Sequence, residues 1–337
     1  MRLETTVMSS APFLLITGLL FASTLGATTI ATYPPGTVLE NIAVAPSGDL
    51  FVTSILDGTI YQISPTGDSH VFGQVPGQLL GVAFGTDGTL VAAGGTSFYK
   101  FAPDGTASLV TDIAGAVSLN GVTPLSPGTF LAADDTAGTV WKVDVSTGIA
   151  SAWLTGGLLE PPAAGLPIGS NGIKLFAGAV YISNTGAGTI LRVPVLPDGS
   201  AGVPTIYASS LQVDDFAFGS DGSIFAATQS GTIIRLRPDG TRTTMSTATL
   251  GDAAVAFGRT AADVQDIYVV NNGGAFFDLP GGPEAASVVR LSTDITGIAP
   301  ESQVVPEPAT LLLTASAIGL TLLVLRLRTR ALGDPNA

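Results

Sequence analysis

From residue 33 to about 298 the chain repeats one β-rich unit six times, and that repetition leaves few folds open to it. Each copy begins with a short, mostly apolar run. The first three are Glu40-Asn41-Ile42-Ala43-Val44, Leu80-Gly81-Val82-Ala83-Phe84 and Asn120-Gly121-Val122-Thr123-Pro124. The others are Asn171-Gly172-Ile173-Lys174-Leu175, Asp214-Asp215-Phe216-Ala217-Phe218 and Ala253-Ala254-Val255-Ala256-Phe257. Their lead residues are spaced by 40, 40, 51, 43 and 39. A turn follows in most copies, as in Gly85-Thr86-Asp87-Gly88 and Gly219-Ser220-Asp221-Gly222, where Asp-Gly supplies the positive φ of a tight hairpin. Then comes a second strand (Leu50-Phe51-Val52-Thr53, Val180-Tyr181-Ile182-Ser183) and often a third after Gly-Thr (Gly58-Thr59-Ile60-Tyr61, Gly138-Thr139-Val140-Trp141). A weaker outer strand closes the unit. Four strands in about 40 residues is a β-propeller blade, so the expected fold is an all-β, six-bladed propeller. Stacked parallel β-helix coils are the rival, but their repeat is usually shorter and lacks Asp-Gly hairpins. Small residues on the first strands (Ala43, Ala83, Ala217, Ala256) suit the crowding near a central axis.

Composition removes several function classes. A net charge of −13 argues against electrostatic binding of nucleic acid, which needs a basic stripe. With no cysteine there are no disulfides, thiolate zinc sites or cysteine nucleophiles. The single histidine, His70, sits in Gly67-Asp68-Ser69-His70, which reads as a solvated turn. No Gly-x-Ser-x-Gly elbow accompanies it, so a Ser-His-Asp hydrolase is not supported. At 46% apolar and only 12% charged residues, the chain can bury a large core and is not disordered.

The two ends read as addresses. Residues 12–25 form an apolar run followed by Gly26-Ala27, a secretory signal over residues 1–27 with a cut near Ala27; an uncleaved anchor is the alternative. Residues 28–304 then form the propeller. At the other end Ala309 to Leu325 carries no charge over 17 residues, the lower limit for a spanning helix. Arg326, Arg328 and Arg330 follow and would stay cytoplasmic. Before the run stand Pro306, Glu307 and Pro308, a rigid and non-helical segment. Pro-Glu-Pro, apolar helix and arginine cluster, in that order over residues 305–330, resemble the PEP-CTERM sorting signal of bacterial envelope proteins, with residues 331–337 as a tail. The resemblance implies processing by exosortase-type machinery and a place in the cell envelope or outside it, with transient anchoring in the membrane.

Equivalent positions of a propeller converge at one mouth of its channel. Here the six lead residues are Glu40, Leu80, Asn120, Asn171, Asp214 and Ala253. Four of them bear side-chain oxygen, which suits a hard cation such as Ca²⁺ or Mg²⁺ better than Zn²⁺. Alternatively they satisfy backbone donors at strand entry, as Asx turns do.

Glu, Asn, Asn and Asp in this blade order resemble the senescence marker protein/gluconolactonase (regucalcin-like) family and related strictosidine-synthase-like propellers. That resemblance implies one divalent cation, with calcium first and magnesium or zinc as alternatives, held by Glu40, Asn171 and Asp214. It further implies that Asn120 contacts substrate and that Asp214 is the general base that opens a lactone ring. The sequence departs from the family in two places. The family's Asp-Gly is Asp214-Asp215, and Val117-Ser118-Leu119 stands where a substrate-binding arginine is often found. Three functions therefore stay open: a metal-dependent lactone hydrolase, a non-catalytic surface propeller that binds a glycan or peptide, and an extracellular matrix component. The ectodomain is expected to be monomeric.

Overall fold

Short β-branched and aromatic runs separated by glycine turns cannot bury both faces alone, and they do so by stacking as sheets around an axis. The computed structural model describes residues 27–247 and 250–298. Among them are six antiparallel sheets of four strands each. The first blade runs outward as Leu39–Val44, Leu50–Ser54, Thr59–Ile63 and Ser69–Gln74. The inner strands of the next five blades are Gly81–Phe84, Leu119–Ser126, Ser170–Phe176, Phe216–Phe218 and Asp252–Phe257. All six inner strands run the same way. Their lead residues mark an upper face, and the turns after them, Asp-Gly in the second and fifth blades, mark a lower one.

The apolar core is divided into wedges between neighbouring blades. Val82, Leu90 and Phe101 of the second blade pack on Phe51 and Ile60 of the first. Leu175, Ile182 and Leu191 of the fourth pack on Leu131 and Val140 of the third. Each wedge needs both neighbours, so a single blade has little stability of its own.

Closure of the ring differs from the repeat read in the sequence. The last blade is ordered Thr28–Pro35, Ala285–Ser292, Asp266–Asn271, Asp252–Phe257. Its outermost strand therefore comes from the start of the domain and pairs antiparallel with Ala285–Ser292. Tyr33 on that strand reaches the first blade, with its hydroxyl 2.6 Å from Ser69 Oγ and its ring 4.7 Å from that of Tyr61. This swap latches the first blade to the last. His70 lies on the outer strand of the first blade, exposed and opposite Gln62, rather than in the turn before it.

Both described ends leave from the lower face. Thr28 pairs with Arg290, near the lower end of its sheet. After Ser292 the chain turns inward beneath the channel, where Thr296 O accepts from Ser220 N and Gly297 N donates to Val264 O. The lower half of the channel is a cavity of about 360 Å³ lined mainly by apolar side chains such as Phe84, Phe218 and Phe257, with Ile298 at its edge. Residues 12–25, the Pro306-Glu307-Pro308 motif, the 309–325 run and Arg326, Arg328 and Arg330 lie outside the described residues.

Candidate functional site

The inner strands break their ladder where they enter the channel. Pairing register shifts between Leu39 and Ile42, between Leu119 and Val122, and between Ser170 and Ile173. Such bulges re-aim side chains, and these three contain Glu40, Asn120 and Asn171. The hydroxyl of the neighbouring strand satisfies the loosened backbone. Ser183 Oγ accepts from Gly172 N at 2.8 Å and donates to Asp214 O at 2.7 Å. Thr53 Oγ1 does the same in the first blade, accepting from Asn41 N and donating to Leu80 O. In the second, third and fourth blades glycine follows the lead residue, where the next blade passes close by. A Cβ at Gly172 would stand 2.8 Å from Asp214 O, and one at Gly121 would stand 2.5 Å from Asn171 O.

These devices gather four of the six lead side chains at the mouth, in two hydrogen-bonded groups whose carboxylates, Glu40 and Asp214, are close enough to act on each other. Asn120 Nδ2 donates to Glu40 Oε1 at 3.3 Å, across 80 residues of chain, and to Asp135 Oδ2 at 3.2 Å. On the other side Asn171 Nδ2 donates to Asp214 Oδ1 at 2.7 Å and to Thr185 Oγ1 at 3.1 Å. Gln229 Nε2 donates to Asp214 Oδ2, and Asn272 Nδ2 donates to Gln229 Oε1. The other two lead residues are apolar and have different work. Leu80 packs with Val38 and Ile55. Ala253 is buried, and its carbonyl accepts from Asp215 N.

Asp135, Thr185, Gln229 and Asn272 were not singled out from the sequence. Each stands one residue beyond the second strand of its blade, in the third to the sixth blades. The equivalent residues in the first two blades are Ile55 and Gly95. A second register of the repeat, aligned on strand ends, would have shown this ring.

Electrostatically the mouth is under-compensated. Burial pushes the Glu40 carboxyl well above its usual value; the nearby Asp214 carboxylate adds to this and the bond from Asn120 opposes it. Asp214 is pushed up to about 7, first by burial, with the Gln229 bond opposing and Asp215 reinforcing. Burial also raises Asp135. The second carboxylate of the Asp214-Asp215 pair is turned away from this cluster. Both Asp215 oxygens lie 2.6 Å from Lys174 Nζ, so its charge is paired lower in the channel. Where the family often has arginine, the Val117 and Ser118 amides donate to the Asp134 carboxylate, and the segment is a structural turn.

The residues present fit a hard cation. Asn171 Oδ1 is buried and has no hydrogen-bond partner. An amide oxygen on the residue that holds the buried Asp214 carboxylate, with the Glu40 carboxylate near Asp214, is a donor set suited to calcium or magnesium. Among the described residues no three carboxylate or imidazole side chains come together, so amide oxygen is a necessary part of any such shell.

The fold and the mouth define a six-bladed propeller with an oxygen-rich pole at one end of its channel. No family model matches the chain. Among solved structures it is similar to a calcium-binding protein, regucalcin, from Agrobacterium tumefaciens. The TM-score is 0.64 at 16% identity, covering 79% of this chain and 95% of that one. A gluconolactonase from Xanthomonas campestris gives 0.63 at 17% identity, covering 82% and 93%. A Phoma protein named "Putative hetero-Diels-Alderase" is 26% identical over 304 residues, 71% of this chain and 85% of that one. At these identities the solved structures establish the shared propeller fold.

Proposed function

We propose that this propeller is a cation-dependent lactone hydrolase of the gluconolactonase type, with Glu40, Asn171 and Asp214 as the ligands. The observation that carries the reading is the buried, partnerless Oδ1 of Asn171, the amide that holds Asp214, whose carboxylate in turn acts on that of Glu40. A divalent cation, when bound, would polarise the carbonyl that water attacks. Asp214 takes the proton of the attacking water, and that proton goes to the ring oxygen as the acyl–oxygen bond breaks, leaving a hydroxy acid. Gln229 and Asn171 hold the Asp214 carboxylate by one oxygen each, which fixes its plane. Asn120 gives both its N–H groups to Glu40 and Asp135, so contact with a substrate oxygen would take one of those two bonds.

The test is hydrolysis of a lactone panel with calcium present. Asp214→Asn should lower turnover by about 10²–10⁴, the usual worth of a general base. Asn120→Ala should keep the stabilisation by calcium and lower turnover. A non-catalytic surface or matrix propeller is the second reading, favoured by the structural turn that occupies the arginine position. It predicts calcium-dependent binding with no turnover of any lactone.

We infer further that the domain is exported and that its attachments lie away from the site. Both ends leave from the lower face, opposite the carboxylates. Residues 299–308 can span at most about 35 Å, so a tail inserted in the membrane would hold the lower face towards it and leave the mouth open. A cut near Ala27 spares the strand that begins at Thr28.

A further inference from the structure

We propose that the mouth takes neutral lactones bearing an apolar substituent, rather than sugar lactones or anionic ones; this rests on the hydrolase reading above and names its substrate class. Charge comes first. The upper connections between strands contain no lysine, arginine or histidine among the described residues. The nearest cation in the channel, Lys174, is tied to Asp215. An anionic group, such as a sugar acid or phosphate, would meet carboxylates and no fixed positive side chain.

Polyhydroxylated rings fare little better. A sugar is recognised by side-chain groups that have capacity left; the amide donors at the mouth are engaged with one another, and the open oxygen, Asn171 Oδ1, is the one assigned to the cation. Asn120 serves Glu40 and Asp135, and Gln229 lies between Asp214 and Asn272. Asn272 Oδ1 in turn accepts from the Gly274 and Ala275 amides.

What the mouth does offer is an apolar sector on the side of the first two blades. Val38, Ile55 and Leu80 form a cluster there, with Ala275 packed against it. The residues next in sequence to Ile55 and Ala275 extend this wall into solvent: Leu56 is 67% exposed and Phe276 is 62% exposed. Seven of the thirteen large apolar side chains exposed among the described residues lie in upper-face connections, against three in lower ones. A rim of this kind beside an oxygen-rich pole matches a molecule with one polar reacting end and an apolar tail.

The experiment is a homologous series from γ-butyrolactone to γ-decalactone, compared with glucono-δ-lactone, with calcium present. The expected result is a kcat/KM that climbs with chain length, by up to about fourfold per methylene laid on the wall, with gluconolactone below the longer members. The double variant Leu56→Ser/Phe276→Ser, altered only at exposed positions, should flatten that climb; a climb as steep as the parent's would overturn the wall's part in binding. Turnover with a flat series, or with gluconolactone preferred, would overturn the substrate class and leave hydrolysis standing. If no lactone is turned over, hydrolysis fails and binding of the same series decides: affinity graded by chain length keeps the ligand class, and ungraded affinity ends it.

Discussion

Metal-free protein is expected to lose stability as the pH rises from 4 to 8. The folded Asp214 carboxyl is held at about 7, against roughly 3.9 in an unfolded chain. Between those values the folded state keeps a proton that the unfolded state has released. The stabilisation is therefore complete below about pH 4 and is gone above about pH 7. Three units at about 1.4 kcal/mol each make the loss on the order of 4 kcal/mol for this group. Glu40 shifts in the same direction, and Asp252, raised by burial to about 6, adds a smaller loss. Carboxyls that are lowered, such as Asp221, titrate below this window and do not offset the trend. Calcium should cancel most of the loss, because it supplies the positive charge that the protons supplied at low pH. The measurement is the guanidinium midpoint at pH 5 and at pH 8, with chelator and with calcium. Equal midpoints in chelator would mean that the mouth is not the buried acidic cluster described above.

Removal of Thr28–Pro35 should cost the fold altogether. This strand gives the last blade its outer edge and contributes Ala31 and Tyr33 to the wedge between the last and first blades. Without it the Ala285–Ser292 strand would present an unpaired edge of mainly apolar sequence, a template for aggregation. Burial of the tyrosine and its neighbours is worth about 1.5–3 kcal/mol per large side chain, a sizeable part of a typical domain's 5–15 kcal/mol. A chain of residues 28–298 should be soluble and melt cooperatively, and one of residues 36–298 should aggregate. If the shorter chain melts at the same temperature, the latch is dispensable and the closure described here is wrong.

The repeat was legible because each blade reuses one pattern of alternation and turn glycines. Gly48, Gly88 and Gly222 indeed take positive φ in the turns after the inner strands. The closing strand was not legible, since Thr28–Pro35 is local in sequence to the first blade and its pairing is a property of the ring. Among the lead residues, Glu40, Asn120, Asn171 and Asp214 were found because polar side chains stand out on apolar strands. Asp135 and Gln229 were missed because they stand in turns, where such residues attract no notice. The pairing of Asp215 with Lys174 was also hidden: 41 residues separate them, and only the approach of the fourth and fifth blades brings them together.

The function proposed for the mouth turns on its cation, and calcium titration of residues 28–298 by calorimetry is the direct measurement of it. One calcium per chain is expected, with a melting temperature that rises with calcium and loss of both in Asp214→Asn. At a hundredfold excess over the dissociation constant the stabilisation should reach about 2.7 kcal/mol. No binding heat, together with a melting temperature unmoved by millimolar calcium at pH 8, would contradict it.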